Sequence, residues 1–246
     1  NCVPEATPVA EGKVAPVDFA YNEEKYKAWL GANVFEQKQK GFYGVNLRLA
    51  LGDIGAERAR RFAALAKEYA ADDIRVTVNQ GFGLRFVRKE HLPHLFNQLD
   101  ALELGEPGFD TIMDITACPG TDTCALGVTN STGLTTKLEE VLRTEYPHLV
   151  NERNIKIKIS GCMNSCGQHM AANIGFHGSS IKRGALVFPA MQVVIGGGVD
   201  ETGKGFVADR VIKTPTKQIP DVLRTILADY EENGGEFQYF NGQIST

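Results

Sequence analysis

Apolar positions recur with two distinct periods along this chain. Tyr43, Val45, Leu47 and Leu49 alternate with Asn46, Arg48 and Ala50, which predicts a half-buried strand over residues 43–51. Phe62, Leu65, Ala66 and Tyr69 form one stripe at helical spacing, so residues 57–69 predict an amphipathic helix. Two further strands follow around Ile74, Val76, Val78 and around Leu84 and Phe86, and a second helix carries Leu92, Leu95, Phe96, Leu99 and Leu102. The order β-α-β-β-α points to a ferredoxin-like split β-α-β unit. Upstream, residues 22–30 read as a short helix with an Asn cap and an acidic first turn, and residues 1–20, with Pro4, Pro8 and Pro16, as an extended arm.

Beyond Asp110 the pattern restarts. A short strand is expected over 112–115. A helix over 132–146 uses Leu134, Leu138, Val141 and Leu142, and a half-exposed strand alternates Ile155, Ile157 and Ile159 with Lys156 and Lys158. Residues 191–195 read as a buried strand ending in three glycines, residues 204–213 as one more strand, and a last helix from Pro220 stops at Gly234. The expected fold is α+β in three segments. These are an arm with a short helix (1–40), a ferredoxin-like half-domain (41–105), and an α/β domain (106–246).

Composition narrows the function classes. A chain of 246 residues with 43% hydrophobic and 23% charged residues has the make-up of an ordinary globular protein. A net charge of -4 gives no reason to expect nucleic acid as a partner. No apolar run approaches the ~20 residues that span a bilayer, and no secretory leader is visible, so a cytoplasmic protein without membrane partners is expected.

The chemistry is concentrated in two cysteine pairs, Cys118-x5-Cys124 and Cys162-x3-Cys166; Cys2 is the odd one and reads as a spare thiol. Four thiolates are the usual complement of a [4Fe–4S] cluster. Zinc also accepts four thiolates, with pairs usually about two to four residues apart; disulfides or plain thiols are the remaining readings. Gly161 and Gly167 bracket the second pair and leave room for close backbone approach. Both pairs are expected at strand ends, and a C-x3-C segment entering a helix would turn both its sulfurs to one side. His169 and His177, just beyond, read as structural histidines.

Cys118-x5-Cys124, followed by Ser160-Gly-Cys-Met-Asn-Ser-Cys-Gly-Gln-His169 and Asn173-Ile-Gly-Phe-His-Gly178, resembles the signature of the sirohaem- and [4Fe–4S]-containing nitrite/sulfite reductases. The resemblance extends to Gly41-Phe-Tyr-Gly-Val45 and Ile74-Arg-Val-Thr-Val-Asn-Gln80, in the half-domain that precedes each cluster domain of that family. It implies Cys118, Cys124, Cys162 and Cys166 as cluster ligands, with Cys166 also the axial bridge to sirohaem. Asn164, Thr77, Asn79 and Gln80 become candidate cofactor contacts, with Arg48, Arg75 and Lys158 as candidate pocket cations. The implied reaction is the six-electron reduction of nitrite to ammonia or sulfite to sulfide, with electrons from a donor such as ferredoxin. The family usually carries two half-domain and cluster-domain copies. Only one is found here, resembling the C-terminal copy, so a missing N-terminal half is an expected partner. The alternative is an iron–sulfur electron-transfer or binding module without catalysis of its own.

Overall fold

The computed structural model describes residues 21–200 and 202–234. The proline-bearing arm expected over 1–20, and Cys2 with it, lie outside the described residues. The chain divides into two compact units between Asp110 and Thr111.

The first unit is a four-stranded antiparallel sheet with helices packed on it. Helix α1 (Glu23–Asn33) opens with the Asn22 side chain accepting the Lys25 amide at 3.0 Å, as the Asn cap predicts. Strands β1 (Val34–Glu36) and β2 (Phe42–Leu47) form a hairpin; helix α2 (Ala56–Tyr69) leads to β3 (Ile74–Val76), β4 (Phe82–Arg88) and helix α3 (Leu92–Ala101). The sheet order is β1-β2-β4-β3. Because β4 runs antiparallel to both neighbours, β2 and β3 are parallel and split by it, the arrangement expected of β-α-β-β-α. Trp29, Leu47, Phe62, Leu84, Leu95, Phe96 and Leu99 fill the core, so the predicted stripes of β2, α2 and α3 all face inward. Edge strand β3 differs, since all three of its residues are exposed.

The second unit is built on a five-stranded mixed sheet of order β11-β8-β7-β6-β5. Strands β5 (Thr116–Ala117), β6 (Ile157–Ser160) and β7 (Ile174–Arg183) are parallel. Strands β8 (Leu186–Ile195) and β11 (Asp209–Pro215) continue antiparallel, and β9 (Gly198–Val199) pairs with β10 (Gly205–Phe206) in a small ribbon. Helix α4 (Ser131–Glu145) buries the stripe expected of it, Leu134, Leu138, Val141 and Leu142, and α5 (Ile219–Glu232) buries Leu223, Leu227 and Tyr230.

Three expectations give way here. Residues 112–115 are a turn rather than a strand, because Thr111 accepts the Met113 amide through its hydroxyl and the Asp114 amide through its carbonyl. Strand β6 is buried at every position rather than half exposed, since it is central in the parallel part of the sheet. Residues 204–213 form two strands because the Ala208 amide turns aside to the Met170 carbonyl at 2.9 Å. The long β7–β8 hairpin was not anticipated. Its outer half, with Leu186, Val187 and Phe188, stands exposed on both strands.

Candidate functional site

Both cysteine pairs leave the C-terminal ends of neighbouring parallel strands, β5 and β6, which is where open α/β sheets place their sites. The Cys118 amide still donates to the Ile159 carbonyl at 3.1 Å, one step beyond the paired residues. A single 3-10 turn over Gly120–Asp122 then swings the chain outward, and the Cys124 amide closes on the Gly120 carbonyl at 3.0 Å. The first loop returns through Val128 and Thr129, whose amides both donate to the Gly161 carbonyl at 2.8 and 3.1 Å. Gly161 in turn donates its N–H to Cys118 Sγ at 3.0 Å. One residue of the second loop therefore grips both ends of the first.

That grip depends on missing side chains. A Cβ on Gly161 would lie 2.4 Å from Gly120 Cα, and one on Gly127 would lie 2.6 Å from Gly120 C. Gly120 itself has φ +55, in the left-handed region that favours glycine. Helix α4 begins directly behind. Ser131 Oγ donates to the Cys118 carbonyl at 2.6 Å and stands 3.8 Å from its sulfur, so the positive end of the helix dipole faces a sulfur that carries charge when it holds metal.

The second pair is not on a helix. Residues 161–168 are turns, with Ser165 at φ +60 and Gln168 at φ +61, and a 3-10 turn follows over His169–Ala171. The expectation that both its sulfurs share a helix face therefore fails, because the flanking glycines and two left-handed residues break the helical run. Cys118 and Cys162 are half-buried, Cys124 and Cys166 are exposed, and all four are free thiols. Among the described residues, no three His, Cys, Asp or Glu side chains already stand together as a metal group. In number and kind the donors fit a [4Fe–4S] cluster. The shared strand end brings the two donor loops to one place.

The remaining expected contacts are dispersed. Asn164 is exposed at the apex of the second loop. Lys158 is buried on β6 and donates to Gln168 Oε1 at 2.9 Å, tying the strand to the far end of that loop. In the first unit, Thr77, Asn79 and Gln80 form the β3–β4 turn. Thr77 Oγ1 accepts the Gly81 amide at 3.0 Å, Asn79 donates to Asp110 Oδ1 at 3.3 Å, and Gln80 is left-handed. Arg75 pairs with Asp73 at 3.2 Å, and Arg48 is half-buried beyond β2.

The two histidines are structural, as their reading predicts. His169 and His177 are buried with ring centroids 4.7 Å apart, and His169 Nδ1 meets Ser160 Oγ at 2.9 Å. Burial first, then the neighbouring His177 and Arg210, pushes the His169 imidazole down to about 4. The unfolded chain binds that proton near pH 6.5, so stability is full above pH 6.5 and declines as pH falls toward 4. The thermal midpoint is expected to fall more steeply across that window in the unmodified chain than in His169→Asn. Parallel curves would contradict this.

Two family models match the chain. The nitrite/sulfite reductase ferredoxin-like half domain covers residues 35–102, and the nitrite and sulphite reductase 4Fe-4S domain covers residues 108–241, over half of the chain. This chain belongs to the nitrite and sulphite reductase family. Its fold is α+β, a ferredoxin-like half-domain followed by the family's 4Fe–4S domain. The ferredoxin–nitrite reductase of Zea mays is 28% identical over 221 residues, covering 88% of this chain and 38% of that protein. The ferredoxin–nitrite reductase of Synechococcus elongatus is 26% identical over 200 residues, covering 80% of this chain and again 38% of the relative. The chain thus spans less than two-fifths of either reductase. The Mycobacterium tuberculosis NirA structure superposes with a TM-score of 0.71 at 23% identity, over 85% of this chain and 39% of that one, which shows the shared fold.

Proposed function

We propose that this chain is the cluster-bearing part of a sirohaem nitrite or sulfite reductase, with Cys118, Cys124, Cys162 and Cys166 holding a [4Fe–4S] cluster and Cys166 also ligating sirohaem. The observation that carries the reading is the convergence of both cysteine loops at the ends of adjacent parallel strands, locked together through Gly161. When bound, the paired cofactors would relay a donor's electrons and provide the iron site for six-electron reduction of nitrite to ammonia or sulfite to sulfide.

The chain's own residues position and tune. Gly161 N–H and the start of α4 stabilise negative charge at Cys118. Exposed Cys124 and Cys166 are left to close on the group as it binds, so binding free energy also tightens the loops. Asn164 is proposed as a sirohaem or cluster contact. Thr77, Asn79 and Gln80 are proposed as sirohaem contacts, and Arg48, Arg75 and Lys158 as cations that offset the anion's charge. The N-terminal copy of a longer reductase would complete the pocket, and an acidic one-electron donor such as ferredoxin would supply electrons. Four patterned free thiols suit a reducing compartment, which supports a cytoplasmic location. Among the described residues, no helix is long and apolar enough to cross a membrane.

The test is an absorption spectrum of the anaerobically purified chain, with iron and sulfide assays on the same sample. An iron–sulfur shoulder together with tetrapyrrole bands is expected after reconstitution with both cofactors. Zinc in place of iron, or an iron-free chain after reconstitution, would overturn the proposal.

A further inference from the structure

Ser160 ends β6 and sits at the root of the second cysteine loop. Its hydroxyl oxygen accepts the Gly167 amide at 3.0 Å and meets His169 Nδ1 at 2.9 Å. A hydroxyl has one proton to give. The oxygen keeps a second lone pair besides the one that takes the Gly167 amide, so either neutral tautomer closes the contact: Nδ1 accepts the hydroxyl proton when the ring proton is on Nε2, and donates to the oxygen when it is on Nδ1. The ring is buried beside His177 and depressed in basicity, which keeps it neutral.

The Gly167 amide belongs to the Cys166–Gly167 peptide, so holding it fixes the plane from which Cys166 departs. The residue is also tightly packed, because a Cβ on Gly167 would lie 2.0 Å from the Ile159 carbonyl oxygen and 3.0 Å from Ser160 Oγ. Cys166 and Gly167 are also bracketed by left-handed Ser165 and Gln168, conformations that L-residues hold only when their surroundings over-determine them. His169 is itself anchored. Its carbonyl lies where a Cβ on Gly175 would be, at 2.1 Å, and its ring is tilted against that of His177.

We propose that His169 is the positioning residue of the second cysteine pair: acting through the Ser160 hydroxyl, it pins the Gly167 amide and so sets the direction in which Cys166 is offered. The proposal rests on the reading of Cys166 as a cofactor ligand. His169 touches neither cofactor nor substrate in it. The role is separable from packing because Asn offers an amide that can accept from or donate to the hydroxyl, while Phe keeps the ring's bulk and loses the polar atom.

The test uses the full chain, reduced and without cofactor. Hydrogen exchange of the Gly167 amide is followed by NMR, and alkylation of Cys166 by iodoacetamide is resolved by peptide fragmentation. Ser160→Ala and His169→Phe are each expected to speed Gly167 exchange about fivefold, the loss of one ordinary hydrogen bond, and to speed Cys166 alkylation in parallel. His169→Asn should stay within about twofold of the unmodified chain. If His169→Phe does not fold, Ser160→Ala and His169→Asn decide. Unchanged exchange in Ser160→Ala, or an Asn variant as fast as the Phe variant, overturns the proposal. The same variants are then reconstituted with iron and sulfide. A shifted reduction midpoint in Phe that returns in Asn supports positioning over simple packing, and a midpoint identical in all three counts against it. An unmodified chain that takes up no iron defeats the cofactor reading alone, and the amide data still judge His169.

Discussion

Gly161→Ala is expected to destabilise the chain by about 3–5 kcal/mol and to abolish iron uptake. The added methyl would stand 2.4 Å from Gly120 Cα and 3.1 Å from the Thr129 carbonyl oxygen, both backbone atoms that no rotamer change can move. Relief requires the two loops to part. Parting them strains the Gly161 amide's bond to Cys118 Sγ and the two bonds that Val128 and Thr129 make to the Gly161 carbonyl. Overpacking of ~1–3 kcal/mol and hydrogen bonds of ~1 kcal/mol each set the range. Urea unfolding of the cofactor-free chain measures the stability. Gly31→Ala is the control, because its Cβ meets nothing within 4 Å and it sits inside α1, where Ala is favoured over Gly by roughly 0.5–1 kcal/mol. A Gly161→Ala chain as stable as its parent would mean that the two loops are not locked as described.

The second large effect is on iron content. Reconstituted unmodified chain is expected to hold about four irons, and each of Cys118→Ser, Cys124→Ser, Cys162→Ser and Cys166→Ser less than half of that. The losses should be separable from folding. Cys124 and Cys166 are exposed, so serine there changes little in the cofactor-free chain; Cys118 accepts the Gly161 N–H and is half-buried, so its replacement also loosens the junction. Iron and sulfide assays alongside urea unfolding distinguish the two. Full iron retained in any one serine variant removes that cysteine from the ligand set. Stoichiometric zinc in the unmodified chain removes the cluster altogether.

The sequence was most legible where one face of an element meets a core. The stripes of α2, α3, α4 and α5 are readable because buried residues must recur at helical spacing, and β2 because it is covered on one side only. Legibility failed where that condition is absent. Strand β6 is buried on both faces, so Lys158 looked like a solvent position when it is in fact buried, with its ammonium reaching out to exposed Gln168. Strand β7 carries Gly175, His177, Gly178 and two serines, and its outer half has no core beneath it, so no alternation marks it. Within the site, the cysteines and their strand-end placement were visible from residue identity and spacing. Ser131, Ser160 and the Gly120–Gly127–Gly161 contact were not, because their roles come from neighbours far along the chain. His177, for instance, is brought level with Ser160 only by the β6–β7 register.

The pairing of Thr116 with Lys158 has a kinetic consequence. Parallel neighbours must be joined by a long crossover, here roughly forty residues that include α4, and closing such a loop is entropically slow compared with forming local structure. During synthesis the first cysteine pair therefore emerges, and waits, before its partner loop exists. Until β6 docks, Gly161 cannot close over Cys118, and a metal ion captured by either pair alone would have only two thiolates. Assembly of the site thus follows the slowest, most non-local step of the second unit's folding, so iron and sulfide are most productively supplied to chain that has already folded.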